Sequence, residues 1–350
     1  MSAALQSSDL LPKVLRLSLS EVPEVSAYFK NTLRSMFGED EDKVRSYVQE
    51  ISQTPWAPEK MRERLSGIED GEALKSAMRR LRRDVMMNLV ARDISGLANL
   101  EEVVTVMSDL AEITIDRTVS VYAKELAKRF GVPRSETGVP QDLIVIGMGK
   151  LGGHELNVSS DIDLIFFYDC DGECGPTPEY PNVRKIISNQ EFYERLAKKV
   201  IPALSEITWE GFVFRVDMRL RPNGESGMLV SSVDSFEKYQ KNEDGTGAWL
   251  WEHQALTRAR YAAGDRDIGD KFEKIRIEIL RRERNAEETK AEVLKMRQRM
   301  HDGHPNKTEL FDVKHDEGGM VDVEFIVQYL VLQYSSKFPQ LVNNFGNIKM

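Results

Sequence analysis

The stretch "GKLGGHELNVSSDIDLIFFY" at residues 149–168 places two carboxylates, Asp161 and Asp163, between a glycine-rich segment and an apolar run. Side chains on a strand alternate between its two faces, so both aspartates are expected on the same face. The apolar neighbours Ile162 and Leu164 predict that this strand is buried. Two like charges at the start of a buried strand repel each other unless a cation lies between them. The stretch therefore predicts a cation site at the beginning of a central strand.

A third acidic residue, Asp217, lies in "GFVFRVDMRLRP", which predicts a strand that alternates with period two from Phe212 to Leu220. If this strand neighbours the one at 160–168, the three carboxylates converge. Magnesium fits such a site because it prefers hard oxygen ligands and completes its shell with substrate phosphates. Two such ions could hold the attacking and leaving oxygens of an in-line displacement.

Several residues around the aspartates are candidates for binding phosphate. The glycine-rich segment "GMGKLGG" gives the backbone room to approach phosphate oxygens, while a lysine adds charge and two serines add hydroxyl donors. The segment matches neither the P-loop sequence nor a dinucleotide fingerprint followed by a long helix. Arginines beside Asp217 either bind phosphate or pair with that carboxylate. The candidates are Gly152, Gly153, Lys150, Ser159, Ser160 and Arg219.

Composition limits the classes of protein that this sequence fits. The 350 residues are 41% hydrophobic and 30% charged, with a net charge of −9, which disfavours nonspecific nucleic-acid binding. Two cysteines cannot build a disulfide framework, and no segment has the pattern of a secretion signal or a membrane span. We expect a cytoplasmic protein that binds neither nucleic acid nor membrane, and one that is a portion of a longer polypeptide.

The hydrophobic pattern divides the chain into three parts. Residues 1–133 are predicted to be an N-terminal helical region, 134–265 an α/β domain that contains the strands, and 266–350 a C-terminal helical bundle. The predicted fold class is α+β, with a small mixed sheet between helical segments. The basic run in "MRRLRRD" predicts either a solvated helix face or a surface for phosphates or acidic partners; it comprises Arg79, Arg80, Arg82 and Arg83.

Three segments, at residues 147–168, 212–227 and 316–330, closely resemble the bifunctional glutamine synthetase adenylyltransferase/adenylyl-removing enzyme family. The resemblance covers roughly residues 75–345, and the three motifs occur in the family's order. It implies a nucleotidyltransferase domain of the DNA polymerase β type followed by a helical bundle. It also implies that AMP is transferred from ATP to a tyrosine of glutamine synthetase, or removed by phosphorolysis to release ADP.

The resemblance assigns roles at individual positions. Asp161 and Asp163 match the family's metal-binding pair, and Asp217 matches its third acidic position. The nucleotide-phosphate loop would include Gly152, Gly153 and Ser160. The resemblance further implies Mg²⁺ as the cofactor, glutamine synthetase as the protein substrate, and a PII signalling protein as a regulator.

The resemblance leaves the direction of the reaction open. Residues 79–102 and 153–166 look like the adenylyl-removing half of the family's enzymes, whereas 226–243, 251–260 and 316–334 look like the transferase half. Residues 244–248 are an apparent insertion. Two alternatives remain: a regulatory nucleotide-binding or protein-interaction module with a non-catalytic site, and a nucleotidyltransferase acting on RNA or a small molecule.

Overall fold

The computed structural model describes residues 17–242, 245–343 and 346. Residues 1–16 of the predicted N-terminal helical region therefore lie outside the described residues. So do Asp244, at the start of the apparent insertion, and nearly all of residues 344–350, which belong to the predicted C-terminal bundle.

The N-terminal part of the described chain is helical, as its hydrophobic spacing predicts. The two longest helices have the expected boundaries: Asp70 accepts a hydrogen bond from the Ala73 N–H at the start of α5, and Gly131 ends α6 with φ +80°. The helices are α1 (Val22–Val25), α2 (Ala27–Phe37), α3 (Glu41–Ser52), α4 (Pro58–Leu65), α5 (Gly71–Ile94) and α6 (Leu100–Phe130).

The central part of the chain contains two small sheets. A two-stranded antiparallel sheet joins β1 (Val132–Ser135) to β4 (Gly172–Gly175). In the larger sheet, β2 pairs antiparallel with both β3 and β7, while β5 and β6 pair in parallel with successive parts of β3. Its strands are β2 (Leu143–Met148), β3 (Ile162–Tyr168), β5 (Val216–Asp217), β6 (Val230–Ser232) and β7 (Arg260–Gly264).

Helices cover both faces of the larger sheet. Alternate strand residues such as Val145 and Phe166 pack in one core with α5, α6 and the later helix α8. Their neighbours Ile146 and Phe167 pack in a second core with α9, α10 and α11. The helices of this part are α7 (Gly149–Gly152), α8 (Asn189–Ser205), α9 (Val233–Lys241), α10 (Leu250–Leu256) and α11 (Arg266–Leu280). The predicted α+β class, with a small mixed sheet between helical segments, is confirmed.

The described chain ends in a helical pair, α12 (Ala286–Gly303) and α13 (Met320–Tyr334), which share a small core around Val293 and Phe325. Among the residues that the structure describes, no helix combines the length and the apolarity that crossing a bilayer requires. The domain boundaries at 133/134 and 265/266 stay predictions. One core cluster includes side chains from both sides of the first boundary, from Met61 to Ala263.

The third predicted strand is much shorter than its alternating pattern indicates. Only Val216 and Asp217 pair with β3. The N–H groups of Val213 and Phe214 instead donate to the Leu204 carbonyl at the end of α8. Phe214 is buried in the core all the same, so the alternation reflects the packing of side chains and not a continuous strand.

The basic run on α5 does not form one solvated face. Arg79 is only 2% exposed and donates to the backbone carbonyls of Gly211, Lys75, Ala203 and Glu206, so neither predicted role fits it. Lys75 lies on α5 itself, whereas the other three carbonyls lie at the end of α8 and in the loop after it. Arg79 therefore joins α5 to the segment that leads into β5.

Candidate active site

Two of the three predicted aspartates are neighbours across the larger sheet. Asp163 on β3 lies opposite Asp217 on β5 in a parallel register, with Ile162 opposite Val216 one residue earlier. Side chains at paired positions of adjacent strands lie on the same face. Asp161 directly precedes β3 and lies two residues before Asp163, the spacing that places both side chains on the same face of an extended chain. The two strands are therefore adjacent, a point that the sequence pattern leaves open.

Arginines pair with the two outer carboxylates. Arg215 Nε lies 2.5 Å from Asp161 Oδ1, and Arg219 Nε lies 2.8 Å from Asp217 Oδ2. The Arg219 backbone N–H also donates to Asp217 Oδ1 at 2.8 Å. Hydrogen bonds from Arg219 hold the pKa of Asp217 below its ordinary value, despite partial burial that would raise it. Asp217 is thus stabilised as an anion, and Asp161 is ion-paired with Arg215.

Asp163 is in a different electrostatic environment. Burial, followed by the charges of Asp217 and Asp161, raises its pKa to about 6, while Arg219 and Lys150 act in the opposite direction. The negative charges of both neighbouring aspartates therefore disfavour ionisation of the central carboxyl group. This is the electrostatic situation that a bound divalent cation would relieve.

A short glycine turn (residues 149–153) approaches the central carboxylate. Met148, at the end of β2, pairs with Asp163, and α7 begins at the next residue. Gly149 has φ +55°, and a Cβ there would lie 3.0 Å from Asp163 Oδ2. The position therefore requires glycine both for its backbone angle and for the carboxylate beside it. The next residue, Lys150, is half-buried, and its charge acts to lower the pKa of Asp163.

The other predicted phosphate-binding residues differ in their surroundings. Gly152 and Gly153 are buried against Arg258: a Cβ on Gly152 would lie 1.8 Å from the Arg258 carbonyl oxygen, and one on Gly153 would meet its guanidinium. Ser159 is exposed and Ser160 half-buried. Within the described part of the chain, neither serine hydroxyl has a hydrogen-bond partner. The serine hydroxyls are available to a ligand, whereas the room that the two glycines leave is filled by Arg258.

The three aspartates do not meet as closely as their spacing suggested. Within the described ranges, one trio of acidic and histidine side chains brings its potential ligand atoms within 4.8 Å of one another, and it comprises Asp109, Glu112 and His154. Arg260 donates to Glu112 and lies 3.1 Å from His154 Nδ1, so this second trio is part of an ion-pair network. Asp161 and Asp217 are turned toward their arginines instead.

Sequence reasoning missed Arg258 and Arg260, which contact the glycine turn from more than a hundred residues away along the chain. It also missed Asp109 and Glu112. These two lie three residues apart on α6, a spacing that puts both on one helix face, and this was the one local signal that they act together. The arginines lie in "LTRARY", where nothing local indicates which side chain points inward.

The arrangement of a D-x-D pair, a neighbouring strand aspartate and a glycine turn on a small mixed sheet is the one expected of a nucleotidyltransferase. Comparison with known families agrees with this class. The family model described as glutamate-ammonia ligase adenylyltransferase matches residues 18–275. The chain belongs to this family.

Individual relatives are similar over most of the chain. It is 42% identical over 291 residues to the bifunctional glutamine synthetase adenylyltransferase/adenylyl-removing enzyme of Aromatoleum aromaticum, covering 83% of this chain and 28% of that protein. The enzymes of the same name from Ralstonia nicotianae and Nitrosomonas eutropha are each 41% identical, over 83% and 76% of this chain and 28% and 26% of theirs. The chain thus matches little more than a quarter of the length of these curated relatives.

Proposed function

We propose that this chain carries a catalytic site that transfers AMP from ATP to a tyrosine of glutamine synthetase, removes it again, or does both. The observation that carries the proposal is the register of Asp163 opposite Asp217, beside the glycine turn. The family and the names of the relatives support the same chemistry. In transfer, the tyrosine hydroxyl gives up its proton, its oxygen bonds to the α-phosphorus, and the bond from that phosphorus to pyrophosphate breaks. In removal, a phosphate oxygen bonds to the AMP phosphorus to form ADP, the bond from that phosphorus to the tyrosine oxygen breaks, and the tyrosine regains its proton.

Magnesium fits the donor set at this site. Three carboxylates supply hard oxygen ligands, and the raised pKa of Asp163 reflects, after burial, repulsion from Asp217 and Asp161. We propose that Asp161, Asp163 and Asp217 hold the ion. When bound, Mg²⁺ would neutralise charge on the phosphate oxygens during in-line displacement.

The remaining site residues are assigned to the nucleotide. Lys150 and the hydroxyls of Ser159 and Ser160 are proposed to contact phosphate oxygens. Once a cation neutralises the Asp217 carboxylate, Arg219 would release that carboxylate and bind a phosphate group instead. Gly152 and Gly153 would contribute through the shape of the glycine turn, because Arg258 occupies the space beside them.

The setting in the cell is also part of the proposal. A cytoplasmic location suits an enzyme that acts on glutamine synthetase, and a PII signalling protein is the proposed regulator. The location is inferred from the cysteine content and the sequence pattern, and the regulator from the family resemblance. The chain's net charge of −9 is consistent with a protein substrate and not with nonspecific binding of a polyanion.

The direct test is incubation of the purified chain with unmodified and with adenylylated glutamine synthetase, read by intact mass. Unmodified substrate is incubated with ATP and Mg²⁺, and adenylylated substrate with phosphate and Mg²⁺. We expect the substrate to gain or lose the mass of one AMP group in at least one arm. The matched control is Asp302→Asn, an exposed aspartate on α12, which should behave as the wild type.

The result separates the proposal from its main alternative. If neither mass changes, while ATP binds with an affinity that a chelator does not alter, the chain is a nucleotide-binding regulatory module and the catalytic proposal is wrong. A change of mass that persists in Asp163→Asn would instead overturn the role given to that aspartate.

A further inference from the structure

Arg260 contacts the end of the glycine turn that lies away from the aspartates. It is the first residue of β7 and pairs with Gly147 of β2. Its Nε donates to the Gly152 carbonyl at 3.2 Å, and its Nη2 donates to the Leu151 carbonyl at 3.1 Å. These are the last two carbonyls of α7. A guanidinium at the C-terminal end of a helix satisfies carbonyls that have no partner within the helix.

A second contact fixes Arg260 itself. The same Nη2 donates to Glu112 on α6, and it lies 3.1 Å from His154 Nδ1 just after the turn. Although burial acts in the opposite direction, contacts with His154 and Arg260 lower the pKa of Glu112, so the carboxylate is stabilised as an anion. Both side chains are largely buried, with 31% and 23% of Arg260 and Glu112 exposed. Arg260 is thus held between a long helix and the turn.

The opposite end of α7 adjoins the candidate metal site. A Cβ on Gly149 would lie 3.0 Å from Asp163 Oδ2, so this end of the turn passes beside the central carboxylate, and Lys150 follows Gly149. The helix is only four residues long, so any shift at Leu151 and Gly152 is passed on to Gly149 and Lys150. The contacts of Arg260 therefore limit where the lysine can lie relative to the central carboxylate.

We propose that Arg260, held by Glu112, is a positioning residue that fixes the glycine turn, and with it Lys150, against Asp163. This inference rests on the proposed function for its consequence in catalysis. Arg260 is not expected to touch the nucleotide. Its contribution is that the turn is already in place when the phosphates arrive, so that binding does not have to order it.

The test compares Arg260→Gln, Arg260→Lys and Glu112→Gln with the wild type. Mg²⁺-dependent ATP binding is measured by calorimetry, and KM for ATP and kcat are measured with glutamine synthetase. We expect Arg260→Gln to raise Kd and KM for ATP about tenfold with a smaller fall in kcat. Arg260→Lys and Glu112→Gln should be intermediate, because each keeps part of the network. The control is Arg266→Gln, an exposed arginine paired with Asp270 nearby on α11.

A merely structural role for Arg260 would give a different result. Lost folding would lower the active fraction, and with it the apparent kcat, but it would leave Kd and KM of the folded molecules unchanged. Circular dichroism melting curves record the change in stability separately. Unchanged Kd and KM in a folded Arg260→Gln protein would overturn the inference.

Hydrogen exchange keeps this test independent of catalysis. Amides of residues 149–154 are expected to exchange faster in Arg260→Gln than in Arg266→Gln, without nucleotide present. If the wild type neither binds ATP nor transfers AMP, the proposed function fails and exchange still decides whether Arg260 positions the turn. Exchange that stays as slow as in the wild type would contradict the positioning role in either case.

Discussion

Asp163→Asn is expected to lower AMP transfer or removal about a thousandfold and, at the same time, to stabilise the fold. The loss of activity follows from removing the central one of three proposed ligands. The gain in stability follows from its environment. Burial and the charges of Asp217 and Asp161 raise the pKa of Asp163 to about 6, so the ionised side chain is unfavourable in the folded state.

The pH dependence of this effect has a definite sign. A carboxyl group whose pKa is raised from 3.8 to about 6 binds more protons in the folded than in the unfolded chain between those values. Its contribution to stability therefore falls as pH rises through this window. At pH 7.5 the ionised group costs roughly 1–3 kcal/mol, which asparagine avoids. Near pH 4 the variant and the wild type should unfold with nearly equal free energy.

Urea unfolding at pH 4, 6 and 7.5, together with the intact-mass assay, measures both halves of this prediction. The control is Asp302→Asn, which should change neither stability nor activity. Millimolar Mg²⁺ should stabilise the wild type at pH 7.5 but not Asp163→Asn, because bound cation relieves the same repulsion. A variant that is inactive and also less stable than the wild type at pH 7.5 would show that Asp163 supports the fold instead.

Gly152→Ala is expected to be the most destabilising single methyl addition in the glycine turn. The added Cβ would lie 1.8 Å from the Arg258 carbonyl oxygen and 2.6 Å from that of Gly147, and both of these are backbone atoms. Neither can move without disturbing β2 or the entry into β7. We expect a loss of about 3 kcal/mol in the free energy of unfolding, together with loss of ATP binding.

Two matched substitutions separate this clash from a general effect of alanine. At Gly153 the atoms nearest an added Cβ belong to the guanidinium of Arg258, at the end of a side chain and not in the backbone, so Gly153→Ala should cost less. At Gly303 an added Cβ would have no atom within 4 Å apart from its chain neighbours and its own helix backbone. Gly303→Ala should therefore be nearly neutral. Urea unfolding of the three variants gives the order, and an equal loss for Gly152→Ala and Gly153→Ala would contradict it.

Local sequence patterns predicted the strand that carries the D-x-D pair better than the strand beside it. The D-x-D spacing and the apolar run behind it predicted a buried strand at 160–168, and β3 covers Ile162–Tyr168 of that stretch. The strand pattern alone leaves open whether Asp217 lies beside β3, and the register of β5 against β3 answers this. The short length of β5 was not predicted, because Phe214 is buried as in a strand while its backbone N–H donates to α8.

Contacts between distant parts of the chain could not be predicted from local patterns. Arg79 looked like one of several surface arginines, yet its partners lie at the end of α8, more than 120 residues further on. Arg260 and Glu112 are separated by a similar distance along the chain. Local spacing indicates which face of a helix or strand a residue occupies. It does not indicate which distant carbonyl groups pack against that face. The roles of the buried arginines therefore emerged only from the three-dimensional structure.

The most direct test of the central claim is to measure divalent-cation binding with Mn²⁺ as a paramagnetic probe for Mg²⁺. Free and bound Mn²⁺ are counted by electron paramagnetic resonance in the wild type, in Asp161→Asn, Asp163→Asn and Asp217→Asn, and in Asp109→Asn from the second acidic trio. We expect each of the first three substitutions to weaken Mn²⁺ binding at least tenfold, and Asp109→Asn to leave it unchanged. Loss of binding in Asp109→Asn alone, with the other three variants like the wild type, would contradict the account.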